Sequence, residues 1–431
     1  MRIGIAILVL GLAAPAGADP IDLLGFGARL PALGNAGVAS GDVPSSAFSN
    51  PAACARSERL QLALGYSYSA IALRRNGRDQ GLPDAHGTSG GACVPIPFPF
   101  VRLAFSTAAY IPDQWFARIA LQPASQPRFV LWDNRPHRVA FNPTLALRLG
   151  RMLAVGGGLT MLADGAGNGI AFRVGIKSGQ VIAESALDVE LPTRAAPVLA
   201  VLFTPRDDVR IGARYSGQLS LDLRLDVLAQ VDVPGTPIGG DTLISVRGID
   251  LYTPEQVAGG ISIGPLAGWT ATTEVVWSNW SRLGQVASDV ALLVEIGITP
   301  SLIQALFPTP GWHDTFSPRL GVQKSLPVAS RATVELRAGY RFEPSPVPDQ
   351  TGVTSFADGD RHVFGVGSGL RIAGLSAGGA AAPGAWTLDA GLAWHHLVPR
   401  ATRKVEPAGP GGDFTTDGEV LSASVMTGVE F

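Results

Sequence analysis

Residues 209–232 read VRIGARYSGQLSLDLRLDVLAQVD. Val209, Ile211, Ala213, Tyr215, Leu219, Leu221, Leu223, Leu225 and Val227 occupy odd positions. Arg210, Arg214, Ser216, Gln218, Ser220, Asp222, Arg224 and Asp226 fall between them. Side chains alternate faces along a strand, so the stretch predicts a β-strand with one apolar and one wet face. At roughly 24 residues it far exceeds the usual ~5–6, and it would span roughly 75 Å if straight. A soluble sandwich has no use for such length. A membrane barrel has, because its outer face meets lipid and its inner face lines a lumen. The odd positions from about Gly217 to Leu225 are expected to face lipid. The even-face charges Arg210, Arg214, Asp222, Arg224 and Asp226 have two readings: pairs with neighbouring strands and the N-terminal segment, or a ladder for substrate.

Composition agrees with a barrel. Among 431 residues there are 53 Gly and 33 Pro, and only 16% are charged. That is too apolar for disorder and too glycine-rich for a helical bundle. A net charge of −2 gives no reason to expect nucleic acid as a partner. Residues 1–18 read as a secretory signal: Arg2, an apolar run from Ile3 to Ala14, and the cleavage pattern Ala16-Gly17-Ala18. After them no uninterrupted apolar run reaches ~18 residues. The nearest, Val290 to Phe307, is broken by Glu295 and Pro300. The final stretch alternates through Leu421, Ala423, Val425, Thr427 and Val429 to a terminal Phe431, which resembles the assembly signal of bacterial outer-membrane proteins.

Residues 19–58 lack alternation, are rich in Gly, Ala, Ser and Pro, and cannot build a core alone. They are expected to pack inside a barrel formed by residues 59–431. About fourteen strands follow: 60–73, 90–94, 100–110, 137–150, 152–162, 185–204, 209–232, 243–263, 269–285, 315–326, 332–342, 362–372, 386–397 and 420–431. Connections alternate between tight turns, as at Gly150-Arg151, and long ones, as at 111–136, 164–184 and 286–314. Short periplasmic turns and long extracellular loops are the expected asymmetry. Trp269 and Trp277, and likewise Trp386 and Trp394, stand eight apart on one face. Roughly 26 Å of strand separates each pair, which suits aromatic girdles; general aromatic enrichment in strands is the plainer reading. Pro95, Pro97, Pro99, Pro143, Pro192 and Pro254 interrupt strands and mark bulges or openings.

Three stretches together resemble the outer-membrane long-chain fatty acid transporters of the FadL type, which include toluene channels. They are GFGARLPALGNAGVASGDVPSSAFSNPAA with its Asn50-Pro51-Ala52, YTPEQVAGGISIGPLAGWTATTEVVWSNWSRL (252–283), and SPRLGVQKSLPVASRATVELRAGYRFEPSPVPDQTG followed by Asp360-Arg361-His362. The resemblance implies an all-β fold: a transmembrane antiparallel β-barrel of about 14 strands with the N-terminal plug, or hatch, in its lumen. It further implies a monomer taking up hydrophobic molecules passively, fatty acids or aromatic hydrocarbons. Apolar extracellular loops would capture the ligand. The hatch, with Phe26, Leu30, Asn50, Pro51 and Ala52, would gate it. The ligand would then leave into outer-membrane lipid through a side opening near Pro95, Pro97 and Pro99. Asn50-Pro51 reads either as the hatch's anchor or as its pivot.

The chemistry beyond this is sparse. His86, His137, His313, His362, His395 and His396 form no metal-spaced or catalytic motif, so no catalytic residue, cofactor or metal is expected. Export places Cys54 and Cys93 where disulfides persist; a bridge and two buried thiols are both open. The loop VALLVEIGITPSLIQALF carries Leu292, Leu293, Ile296, Leu302, Ile303, Leu306 and Phe307. Its spacing fits two short amphipathic helices, as a capture groove or as a lid. A general porin, or a barrel without transport, is the alternative function; neither should need a hatch and apolar loops.

Overall fold

The computed structural model describes residues 20–431 apart from 42–43, 99–100, 116–117, 119–126, 134, 164–165, 178–179, 191–192, 233–238, 284–289, 295–300, 306–309, 353, 376–383 and 409–411. Within the strands at 166–190, 221–251 and 290–305 only the backbone is described. The signal segment expected at 1–18 lies outside the described residues, as do Pro99, Ile296, Leu306 and Phe307.

Fourteen strands close into one antiparallel barrel. They are β1 Gln61–Arg75, β2 Ala85–Pro97, β3 Arg102–Pro112, β4 Ala140–Leu149, β5 Leu153–Ala163, β6 Thr193–Arg206 and β7 Val209–Ser216. Then come β8 Gln256–Leu266, β9 Trp269–Ser278, β10 Thr315–Ala329, β11 Ala332–Glu343, β12 Arg361–Leu375, β13 Gly384–Thr402 and β14 Phe414–Glu430. Each pairs with its sequence neighbour. β14 closes the ring on β1, from Gln61↔Glu430 to Arg75↔Thr416. Closure removes the exposed sheet edges that would otherwise invite aggregation.

The alternation seen in the sequence is the wall's two faces. On β14, Leu421 and Val425 are exposed while Ser422 and Ser424 are buried. On β9, Trp269 and Val275 point out while Thr272, Glu274, Val276 and Ser278 point in. Trp394 is exposed as well, and the Trp386 Nε1 donates to Thr427 Oγ1 at 2.8 Å.

Three expected strands prove to be two strands each. The stretch 209–232 ends its barrel part at Ser216 and resumes as Leu219–Asp232 in a different sheet. At the break, Gly217 N donates to the Pro197 carbonyl, and a side chain at 217 would run into the Pro197 ring. Leu219, expected on the lipid face, is 2% exposed and packs against Ala196. In the same way 243–263 divides at Pro254-Glu255, and 185–204 divides at 191–192. Pro254 supplies no ladder donor, which accounts for its break.

The separated pieces form a second, six-stranded sheet, in the order Ser301–Ala305, Val290–Val294, Gly239–Thr253, Leu219–Asp232, Ala166–Lys177, Gln180–Glu190. Thus 164–184, expected as a loop, contributes strands. So does 290–307, expected as two helices: Leu292 pairs with Ile303 and Leu293 with Leu302. The first of these strands also pairs with Thr242–Val246. All six strands come from the long connections, on the side assigned as extracellular.

Proline breaks the wall less than expected at β2. Pro95 pairs with Ala104 and Pro97 with Arg102, so β2 runs through both. Pro143 does interrupt a ladder: β4–β5 pairing skips from Phe141↔Met161 to Thr144↔Gly158.

Candidate functional site

The N-terminal segment lies against the inner wall and follows the strands round. Its backbone meets inward glycines: Ala28 on Gly391 of β13, Pro31 on Gly365 of β12, Leu33 on Gly339 and Gly321, and Val38 on Gly212 of β7. Returning, Pro51-Ala52 rests on Gly156 of β5, where a Cβ would stand 2.6 Å from Ala52 N. Pro44 rests on Gly91 of β2. Only glycine lets a backbone approach so closely.

Polar groups then fasten the segment. Asn50 is 1% exposed. Its amide donates to the carbonyls of Val38 (2.7 Å) and Val201 (3.1 Å), and its Oδ1 accepts from Ala52 N at 3.0 Å. That last bond caps the helical turn Pro51–Arg56, which Pro51 starts. One side chain therefore ties two parts of the segment to each other and to β6. Glu274 of β9 accepts from both Gly37 N and Val38 N at 2.8 Å. Its other oxygen takes Arg319 Nη1 at 3.1 Å, and Arg319 also donates to the Asn35 carbonyl. Cys54 and Cys93 are joined in a disulfide with Cα atoms 5.8 Å apart, fixing the segment's end to β2. The even-face charges of β7 also meet the segment: Arg210 Nε donates to the Ala39 carbonyl, and the Arg214 guanidinium lies over the Phe48 ring.

Above this, a charged layer crosses the lumen. Asp22 pairs with Arg135 at 3.1 Å and accepts from Gln256 at 2.8 Å. Glu343 pairs with Arg361 at 2.8 Å and Arg341 at 3.4 Å, and Arg341 donates to the Leu23 carbonyl. Buried charges persist only when paired in this manner. Over the layer sits an aromatic cluster. Trp280 meets Trp312 at a tilt with ring centroids 5.4 Å apart, Trp312 meets Phe356 edge-on at 5.7 Å, and Tyr252 meets Trp280 at 5.8 Å. Phe129, Leu131, Trp132 and Leu397 belong to the same buried group.

On the outer wall, an apolar hollow of about 410 Å³ lies over β1–β4 and β14. Leu62, Leu64, Gly90, Ala92, Thr107 and Phe141 are among its lining. Gly91, between the two small outward residues Gly90 and Ala92, has Pro44 and the Phe26 ring directly behind it. The wall there is little thicker than its backbone.

The profile of the outer membrane protein transport protein family (OMPP1/FadL/TodX) matches residues 13–394. The chain belongs to this family. Its members are outer-membrane transport channels, so the chain is an outer-membrane transport barrel and not an enzyme. Solved structures of the same fold include a FadL homologue from Pseudomonas aeruginosa, with 15% identity, 97% of this chain and 98% of that one covered, and a TM-score of 0.54. The monoaromatic hydrocarbon channel CymD follows at 14% identity, 94% and 98% coverage and TM-score 0.52. The toluene transporter TbuX of Ralstonia pickettii shows 13%, 94% and 99%, and 0.51. No curated protein sequence matches significantly.

Set in this FadL-type barrel, the residues expected from sequence fall into separate places. Phe26 and Leu30 share a buried cluster with Phe48, Tyr110 and Met426. Ala52, Cys54 and Cys93 form another with Ala104 and Leu202. Pro95 and Pro97 lie at the end of β2 just past Cys93, with Pro95 paired to Ala104 of the second cluster. Leu292, Leu293, Leu302 and Ile303 lie on a hairpin of the second sheet. Sequence reasoning missed Glu274, Arg319, Arg341 and Arg361. One signal could have found them: a charge within a lipid-crossing strand belongs on the lumen face.

Proposed function

We propose that this protein carries hydrophobic small molecules passively across the outer membrane as a monomer, with fatty acids or aromatic hydrocarbons as the substrate class. The observation that carries the reading is the pairing of a buried apolar cluster in the lumen, Phe26 with Leu30, Phe48, Tyr110 and Met426, with an apolar hollow outside the same wall, across Gly90-Gly91-Ala92. A polar solute gains nothing from either surface, whereas each methylene removed from water gains about 0.8 kcal/mol. Apolar residues of the 290–305 hairpin, Leu292, Leu293, Leu302 and Ile303, would make first contact with the ligand. The hatch would shift locally while Asn50 and the Cys54–Cys93 bridge hold its end, so Asn50 acts as anchor. Phe26 and Leu30 would move from behind β2. The ligand would leave sideways at Gly90–Ala92, a few residues up the strand from Pro95 and Pro97, directly into lipid. CymD and TbuX are described as hydrocarbon and toluene channels, which supports this substrate class.

The test is uptake of labelled dodecanoate and of toluene by cells expressing the protein or its Gly90→Leu variant. Leucine at 90 would fill the outer hollow without touching the hatch. Wild-type cells should gain uptake of at least one compound, and the variant should lose most of it while remaining folded. Rapid passage of small sugars with no gain for either compound would mark a general porin. Full uptake by the variant would move the exit elsewhere.

A further inference from the structure

A second hollow, of about 330 Å³, lies on the side assigned as periplasmic, between the end of the hatch and β7. Arg56, Glu58, Arg59 and Arg210 are among its lining. Arg56 closes the helical turn Pro51–Arg56, just past the Cys54–Cys93 bridge, and Arg210 is the second residue of β7. Among the described residues, Glu58 is the one carboxylate of the lining, and Arg102 engages it at 2.6 Å. Arg56 and Arg210 form no ion pair among those residues. Arg56 Nη1 donates to the Arg151 carbonyl, in the tight turn after β4, at 3.2 Å. Arg210 donates through Nε to the Ala39 carbonyl at 3.2 Å and through Nη2 to the Ser262 hydroxyl at 3.1 Å. These partners are neutral, so they satisfy N–H groups without offsetting either charge.

Further cations crowd the pair. Arg29 and Arg56 stand near Arg210, and Arg148 stands near Arg56. Arg148 itself lies directly opposite Arg102 in the β3–β4 ladder, an arrangement that is destabilising for like charges. Burial and Arg148 hold the Arg56 guanidinium below its usual pKa, against the pull of Asp207. Glu335 is spread over Arg29 and Arg337. Cations gathered in this way repel one another until an anion joins them. The donors also select the anion. A guanidinium is a planar fork of N–H groups with no acceptor, and it matches the oxygens of a phosphate two at a time. A monocarboxylate would balance only one of the two arginines. A phosphate monoester carries about −1.5 to −2 at pH 7 and balances both.

We infer that Arg56 and Arg210 form a phosphate-binding seat at the periplasmic mouth of the barrel, where the bound phosphate braces the hatch. Arg56 belongs to the turn that the disulfide anchors. Arg210 carries the hatch at Ala39 and Gly41, the first through its hydrogen bond and the second against its Cδ. A phosphate held by both ties the anchored turn to the side chain on which residues 39–41 rest. The seat does not depend on what the barrel transports. Its phosphate comes either free from the periplasm or as the head group of a phospholipid in the periplasmic leaflet, and the two sources are separable.

Calorimetric titration of the purified protein in uncharged detergent with inorganic phosphate, at ionic strength fixed with chloride, tests this. A parallel titration uses micelles containing phosphatidylglycerol. Wild type should show saturable binding of at least one. Binding of inorganic phosphate assigns a soluble source, and a response to phosphatidylglycerol alone assigns a lipid head group. Arg56→Gln, and separately Arg210→Gln, should weaken that binding at least roughly tenfold, as expected when a charge-assisted contact is lost. Both should keep the heat-dependent gel shift of a folded barrel. Arg78→Gln, in the exposed connection between β1 and β2, should leave binding unchanged. An Ala39→Cys reporter should react with maleimide more slowly as the seat fills, because a ligand held only by the closed form stabilises it by mass action. Binding of neither probe, undiminished binding by Arg56→Gln, or an equal loss in Arg78→Gln overturns the seat. Binding with an unchanged maleimide rate overturns the brace.

Discussion

Glu274→Gln should loosen the hatch at one place. The carboxylate holds two consecutive backbone N–H groups, Gly37 and Val38, each at 2.8 Å, and it pairs with Arg319 at 3.1 Å. Glutamine has the same shape but one acceptor oxygen. If that oxygen stays on the backbone, its NH2 faces the Arg319 guanidinium, donor against donor. Arg319 is then left with the Asn35 carbonyl and with Asp22 at 3.8 Å. Hydrogen bonds to a charged group contribute about 1.5–3 kcal/mol each, and breaking a buried pair costs more than the pair's net worth. A net loss of roughly 2–4 kcal/mol follows, which raises the population of the detached segment roughly 30- to 1,000-fold. Detachment stays local, because Asn50, the Cys54–Cys93 bridge and the bond from Arg341 to Leu23 remain. Maleimide labelling of an Ala39→Cys background reads this directly, since Ala39 is fully buried and bridged cysteines do not react. Labelling should accelerate in the Glu274→Gln background, with brief added conductance in planar bilayers. Equal labelling rates in an intact barrel would show that the carboxylate satisfies the segment without holding it.

Asn50→Ala removes three bonds at the hatch's end, and each buried group left without its partner costs about 1–3 kcal/mol. The urea midpoint should fall clearly; an unchanged midpoint would mean that the Val38 and Val201 carbonyls find other donors. Val275→Arg places a cation on the outer face of β9, with an expected cost of roughly 2–4 kcal/mol for folding into bilayers. A cost below ~1 kcal/mol would put Val275 in water and the assigned faces in error. In the connection between β3 and β4, burial and the nearby Arg118 push the His137 imidazole down to about 4. The unfolded chain takes up that proton near pH 6.5 and the folded chain does not. Stability is therefore complete above about pH 6.5 and falls by about 3 kcal/mol as pH drops toward 4. His137→Gln should remove this part of the acid sensitivity; matching losses in both proteins between about pH 7.5 and pH 5 would assign it to other groups.

The parts legible in the sequence are those that depend on one strand at a time. Alternation marks Leu421 and Val425 as outward and Ser422 and Ser424 as inward whatever their partners, so the wall could be read strand by strand. The short and long connections could be counted for the same reason. What escaped depends on partners far away in the chain. The period of two continues unchanged from Ile211 to Val227, yet at Gly217 the partners change, from β6 to Ala166–Lys177 on one side and from β8 to Gly239–Thr253 on the other. Period alone carries no partner, so one alternating run read as one membrane strand. The stretch VALLVEIGITPSLIQALF suits helix or strand by its own spacing; its pairing with Thr242–Val246 decides, and nothing within the stretch encodes it. The wall glycines show the same limit. Gly156, Gly212, Gly339, Gly365 and Gly391 read singly as weak points of their strands. Their meaning emerges only with the path of Ala28–Ala52, because each marks where that backbone touches the wall. The hatch and the barrel therefore specify each other. A glycine on the lumen face is a requirement set by the hatch, and the hatch's run of small residues is the form a chain takes when hydrogen bonds and close backbone contact, not its own core, hold it in place.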